Sequence, residues 1–531
     1  MLTLTIVLTG CRPSLPTTFE ETAWEPDAVS PDNFGATLPP NIAPLNFRIQ
    51  WGNASDAVTH LHSEKGGELI VGGWDVRFDE DEWHRLLSRT RGDSLYCDIY
   101  LKAEGRWKHL PTQRFFIAED DIDPYITYRL LRPSYVAYEE LTIHQRSLES
   151  FEEHVIYENI HFSDSEQGQC INCHMTRQWN RDGQSQFHVR QNLGGTVLIH
   201  DNEVTKVNLK TDSTLSAGVY PAWHPTLNLI AYSVNETGQV FHTLDPQKIE
   251  VIDYASDLIL YNPEQNSVQS IDRTATEFES FPAWSPDGRT LYYISAHYTR
   301  RDDNLDADLD SHYDQLHYNI YARCFDTETQ RFGPRQLVFD AEAQGKSASV
   351  PRVSPDGRYL LFTLADYGQF HIWHQSADLC LLSLTPQTSL SSSEADEKAG
   401  TGCKELNSPF AESYHAWSSS GRWILFSSRR DDGNYTRLYI SYFDRDGHAH
   451  RPFRLPQRTT DADDLLLRSY NAAEFLVQPM SVTQQQLATA IRKEARQAHY
   501  NGSALLHPES DSVTALPLTP TAERRGEAVA Y

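Results

Sequence analysis

Four related segments constrain this chain more than any other feature. They are Tyr220-Pro221-Ala222-Trp223-His224-Pro225, Phe281-Pro282-Ala283-Trp284-Ser285-Pro286-Asp287-Gly288, Val350-Pro351-Arg352-Val353-Ser354-Pro355-Asp356-Gly357 and Tyr414-His415-Ala416-Trp417-Ser418-Ser419-Ser420-Gly421. Each runs into a short apolar stretch: Leu229 to Tyr232, Leu291 to Ile294, Leu360 to Phe362 and Ile424 to Phe426. This is a strand, a tight turn and a second strand, with Pro-Asp-Gly supplying the turn because Gly accepts a positive φ. Asp257 to Tyr261, Tyr318 to Ala322, Asp378 to Ser383 and Arg437 to Ser441 read as third strands. Small sheets of this kind cannot bury both faces alone, so repeated copies stack radially into a β-propeller of at least four blades. The copies lie farther apart than the roughly 40 to 50 residues of compact blades, which predicts long insertions.

Upstream, residues 45–160 alternate between apolar and polar positions. In Leu95-Tyr96-Cys97-Asp98-Ile99-Tyr100, Leu95, Cys97 and Ile99 share one face and the polar residues the other. Period two predicts a β-sandwich-like domain, and hence a chain that is mainly β. Asp79 to Leu87 opens on acidic residues and reads as a short helix. No catalytic constellation is visible in this region.

Cys170-Ile171-Asn172-Cys173-His174 carries the chemistry, since two cysteines followed at once by histidine form the attachment motif of c-type haem. Composition alone would produce about 0.004 such pentapeptides per chain. Cys170 and Cys173 would bind the porphyrin and His174 the iron, giving one covalent haem c. A zinc site would need a second ligand pair, but Cys11, Cys97, Cys324, Cys380 and Cys403 are scattered singly. A redox dithiol or a structural turn completes the alternatives. For the sixth iron position His188 is the favoured ligand, 14 residues past His174, ahead of Met480, His161, His200 or an open site. Met175 adjoins His174 and cannot reach the opposite haem face. Arg190 is placed to pair with a haem propionate.

Covalent haem attachment takes place outside the cytoplasm, and the first residues suggest an export route. Leu2 to Leu8 is a short apolar run ending in Leu8-Thr9-Gly10-Cys11, which resembles a bacterial lipobox with Cys11 as the lipidated residue, although no Lys or Arg precedes it. The expected location is the cell envelope, lipid-anchored and facing the periplasm or the outer surface. The formal charge of −27 argues against nucleic acid and against adhesion to anionic lipid heads, so membrane attachment would come through the lipid.

The Trp-Ser-Pro-Asp-Gly repeats resemble the blades of TolB-type propellers. The motif order is similar to that of bacterial lipoproteins that place CxxCH just ahead of a TolB-like propeller. The resulting division is a signal segment at 1–10, a flexible tether at 11–44, a β-rich domain at 45–160, a haem segment at 161–195, the propeller at 196–480 and an extension at 481–531. The expected function is electron transfer or redox sensing, with the propeller docking a redox or envelope partner, and a catalyst is the weaker expectation. The alternative is a non-redox propeller scaffold in which CxxCH is structural or metal-binding. Asp306-Ala307-Asp308-Leu309-Asp310 reads as a solvated insertion more than a Ca²⁺ loop. Cys380 and Cys403 flank the polar segment Ser391 to Glu397, which a disulfide between them would close.

Overall fold

The computed structural model describes residues 13–25, 27–132, 139–162, 170–200, 203–242, 244, 247–274, 276–299, 301, 305–384 and 403–506. Cys11 and the 391–397 segment lie outside them. The chain forms two compact units, and it is mainly β.

The first unit comprises Met1–Ile122, Ser147–Glu152 and Arg451–Leu466. Its larger sheet is built around strand Asp93–Ala103. One edge of that strand pairs with Ala54–Ser63, and the other with Arg106–His109 and Gln113–Ile117. Leu95, Cys97 and Ile99 are buried, as their alternation requires. Helix Glu80–Thr90 starts where the acidic run predicts it, with the Asp79 carboxylate accepting from the Glu82 amide at 3.0 Å. Trp83, Leu86 and Leu87 form its buried face.

The stretch read as a flexible tether at 11–44 is part of this unit from Glu20 onward. Val29, Phe34, Ala36, Leu38 and Ile42 are core residues, and Glu20–Glu21, Val29–Ser30 and Thr37–Leu38 are strands. Strands of two residues are too short to leave a periodic trace in sequence.

The second unit is a propeller of six sheets. Their innermost strands run in chain order as Cys170–Thr176, Val219–Trp223, Glu277–Trp284, Ser347–Val353, Glu412–Trp417 and Ser469–Leu476. Each inner strand lies against the next, and the last lies against the first, which closes the ring. Blades 2 to 5 contain the four repeats.

Blade 1 is the segment read as a separate haem region. Blade 6 joins the two ends of the unit: Ser469–Leu476 pairs antiparallel with Tyr125–Leu131, followed outward by Thr142–Ser147 and Glu153–Glu158. The domain boundaries therefore differ from the sequence division on three counts. The propeller takes in Cys170–Thr176 and Ser185–Arg190 ahead of 196, part of 45–160 belongs to blade 6, and part of 481–531 forms strands. In that last segment Arg496–Gln497 and His499–Ser503 add parallel edge strands to blades 1 and 2. No helix among the described residues is long and apolar enough to cross a membrane.

Cys380 and Cys403 are not joined by a disulfide, and the Cys403 thiol donates to the Leu379 carbonyl. Asp306 to Asp310 falls in helix Leu305–His312, where Asp308 is buried and pairs with His312 at 3.0 Å.

Candidate functional site at the ring centre

Every inner strand carries one extra residue at the same place in its register. The pairing skips between Ile171 and His174, Val219 and Ala222, Ser280 and Ala283, Ser349 and Arg352, and Ser413 and Ala416. In blade 6 the skip lies between Asn471 and Glu474. Such a bulge re-aims the side chains beside it. Tyr220, Phe281, Val350, Tyr414 and Ala472 take up the bend with φ between 46° and 50°. A non-glycine residue is uncommon there, and five equivalent instances mark a built feature.

This register puts CxxCH into the repeat. Asn172 and Cys173 occupy the positions of Tyr220 and Pro221, and His174 that of Ala222. The bulge residues surround a cavity of about 60 Å³ bordered by Cys173, His174, Met175, Tyr220, Phe281, Tyr414 and His415. It also meets Arg129, Arg352 and Glu474. That volume holds a few waters.

The groups around it are buried, and their protonation follows from that. His174 is buried, and neither ring nitrogen has a hydrogen-bond partner. Burial first, and the Arg129 charge second, push its pKa down to about 3, so the ring is neutral and keeps a lone pair for a metal. Cys170 is buried too, and burial pushes its thiol up to about 11 despite Arg190 and Arg129. Arg129 donates to the Asn172 side-chain oxygen. Glu474 is raised to about 7 by burial, against the opposing pull of Arg352 and the Thr176 amide, which donates to it at 3.3 Å.

His188 does not join this group. His174 pairs with Phe187, so the two share a face, and His188, the next residue along, is on the other. His188 is buried, with its Nδ1 unpartnered and its pKa pushed down to about 3 by burial and then by Arg190. Arg190 pairs in register with Cys170 on that opposite side. Strand alternation thus sets His188, expected as the ligand across the iron, on the face of blade 1 opposite His174. His200 is exposed, and Met480 is buried in a different pocket beside Asn180. The side chain of His161 lies outside the described residues.

The second imidazole that borders the cavity is His415. Its Nε2 lies 2.9 Å from the Leu361 carbonyl, its Nδ1 is unpartnered, and burial followed by the Arg352 charge takes its pKa down to about 3. Sequence reading passed over it as part of a blade motif. The available signal was that histidine stands where the other repeats have Pro221, Pro282 and Pro351.

A covalent haem is what the motif implies, and the donor set fits one. Two thiols flank the bulge and a neutral imidazole lacks any partner, which is a costly state for a buried ring unless something else binds it. The enclosed space is too small for a porphyrin as it stands, and Cys170 does not border it.

No known protein family matches the chain, and no curated protein does. Among solved structures it is similar to TolB from Acinetobacter baumannii, at 10% identity and a TM-score of 0.36, over 75% of this chain and 85% of that one. It is also similar to prolyl oligopeptidase B from Galerina marginata, at 12% identity and a TM-score of 0.30, over 54% of this chain and 37% of that one. A prolyl endopeptidase matches at 12% identity and a TM-score of 0.31, over 63% of this chain and 42% of that one. The matched region is under half the length of either peptidase. Likenesses this distant carry no argument, and the propeller stands on the six sheets themselves.

Proposed function

We propose that this is a lipid-anchored cell-envelope protein that carries one covalent haem c in blade 1 and works in electron transfer or redox sensing, with the propeller docking an envelope partner. The observation that carries the reading is the buried, neutral imidazole of His174, without a hydrogen-bond partner at either nitrogen and next to Cys173 at the cavity. Cys170 and Cys173 would hold the group through sulfur and His174 through nitrogen, and His415 replaces His188 as the residue to occupy the sixth position. Bound there, the group would supply a one-electron couple. The protein's own part is to keep water out, to hold His174 neutral with Arg129 and burial, and to offset the carboxyl of Glu474 with Arg352. The thiols are buried in the folded blade, so they would have to react before blade 1 closes.

The test is export of the full chain together with a haem-maturation system. A Soret band that stays with the denatured polypeptide, and that is lost in the Cys170→Ser, Cys173→Ser double variant, is the expected result. A band that shifts on adding cyanide or carbon monoxide would mark an open iron position and argue against His415.

The small cavity favours a second reading, a non-redox propeller scaffold in which the CxxCH residues pack blade 1 or bind a metal ion. Absence of any covalent Soret band decides for that reading.

A further inference from the structure

The first unit holds a separate cluster of metal-ligating side chains. Strand Ala54–Ser63 carries His60 and His62 two residues apart, hence on one face of the sheet. Register sets Asp98 of the neighbouring strand opposite His60, and His109 opposite Tyr100 on the same face. Their polar atoms converge on one carboxylate. His62 Nε2 is 2.9 Å from Asp98 Oδ2, and His60 Nδ1 is 3.9 Å from the same oxygen. His109 Nε2 and the Thr112 hydroxyl hold Oδ1 at 3.0 and 2.6 Å. One ligand atom from each of His60, His62 and Asp98 lies within 4.8 Å of the others. Burial works against ionisation of Asp98, but hydrogen bonds from Thr112, His109 and His62 keep its carboxyl below the usual range.

The far side of the rings makes this more than an ion-pair cluster. His60 Nε2 lies 2.8 Å from Glu68, and His109 Nδ1 lies 3.0 Å from Glu21. A carboxylate only accepts, and a neutral imidazole has a single N–H. With Glu68 taking the N–H at His60 Nε2, His60 Nδ1 is left as a lone pair turned toward Asp98 Oδ2, 3.9 Å away and beyond hydrogen-bond reach, which leaves room for an ion between them. A carboxylate behind a histidine is also the arrangement that fixes the tautomer and aims the opposite nitrogen at a metal.

We propose that His60 Nδ1, His62 Nε2 and Asp98 Oδ2 bind one divalent transition ion of the zinc class. Imidazole and carboxylate donors without thiolate suit such an ion. Glu68 is the positioning carboxylate for His60, while His109, Thr112 and Glu21 steady the other oxygen of Asp98. The fourth coordination position faces the solvent side, where His62 is the most exposed of the three ligands at 34% against 13% for His60 and for Asp98. The site is independent of the CxxCH reading, since no residue is shared.

The test uses the full-length protein, stripped with a chelator and titrated with Co²⁺ as a visible probe. One equivalent with the d–d absorption of a nitrogen- and oxygen-ligated site, displaced by Zn²⁺, is expected. The Cys170→Ser, Cys173→Ser double variant should retain it. His62→Ala should abolish it, and Glu68→Gln, at a solvent-facing residue, should weaken it by roughly 10- to 100-fold. Wild-type protein that takes up no Co²⁺ at this site would overturn the proposal and leave a hydrogen-bonded cluster around Asp98. Binding that is unchanged in both His62→Ala and Glu68→Gln would overturn it equally.

Discussion

Asp253, in strand Ile249–Asn262 of blade 2, shows what burial does to a carboxyl in this molecule. Asn235, Tyr318 and Gln369 all donate to it, yet desolvation outweighs them and its pKa is raised to about 7. The folded protein therefore holds this proton where the unfolded chain has released it. Its contribution to stability is fully present below about pH 4 and is lost as the pH rises to 7, on the order of 4 kcal/mol across that window. Asp253→Asn has no proton to lose. The expected outcome is that wild-type stability minus variant stability falls steadily from pH 4 to 7 and is flat above, measured by urea unfolding at each pH. A difference independent of pH would show that the carboxyl is ionised throughout. Buried histidines work in the opposite direction: His174 and His415 stay neutral when folded, so their contribution is lost as the pH falls below 6.5 toward 3. None of these protonation states was legible in sequence, because each depends on neighbours far away in the chain. What sequence did reveal at this scale was chemistry in a row, Cys170 to His174. It missed chemistry assembled across strands, although His60 and His62 two apart in a strand were a readable hint.

The inner strand is the element on which fold and site meet. Four copies were visible because two read aromatic-Pro-Ala-Trp and the other two keep part of it, Val350-Pro351 and Tyr414 with Ala416-Trp417, ahead of a similar turn. Two were hidden: blade 1 has Asn172-Cys173-His174-Met175 there, and blade 6 has Ala472-Ala473-Glu474-Phe475. Blade 6 was the harder to see, since its other strands come from the far end of the sequence. The tryptophan of the repeat has its own task between blades. Trp284 Nε1 donates to the Ala222 carbonyl of blade 2, and Trp417 Nε1 donates to the Arg352 carbonyl of blade 4, each at 3.1 Å. Trp284 also packs on Phe325 and Phe332. Trp284→Phe keeps most of the apolar surface and loses the hydrogen bond, so a cost of about 1 to 3 kcal/mol is expected. Trp284→Ala also leaves a cavity and should cost about 3 to 5 kcal/mol. Denaturant midpoints for the two variants check the order, and equal losses would mean that the inter-blade hydrogen bond accounts for the whole effect and the packing of the ring for none of it.

For the whole molecule, the decisive fact is that neither compact unit is a continuous piece of chain. The first unit is completed by Ser147–Glu152 and Arg451–Leu466, so no single cut releases it. Within it, Asn46 donates to the carbonyls of Gln457 and Arg458 across more than 400 residues of sequence. The ring is closed in the same manner, by Ser469–Leu476 in register with Tyr125–Leu131. Closure removes the free edges that an open stack of blades would expose. Two truncations separate closure from edge cover. Ending the chain at Leu466 removes the inner strand of blade 6, and with it the partner that Tyr125–Leu131 requires. Because the blades share one closed ring, the expected result is loss of the cooperative unfolding transition and of soluble protein. Ending it at Lys493 leaves blade 6 whole and removes Arg496–Gln497 and His499–Ser503 from the outer edges of blades 1 and 2, together with the pairing of Leu505 with Phe332 of blade 3. That protein should still fold, with a lower Tm and a single transition. A chain ending at Leu466 that unfolded as cooperatively as the full one would mean that the ring is stable when open, and that blade 6 borders the central cavity without holding the propeller together.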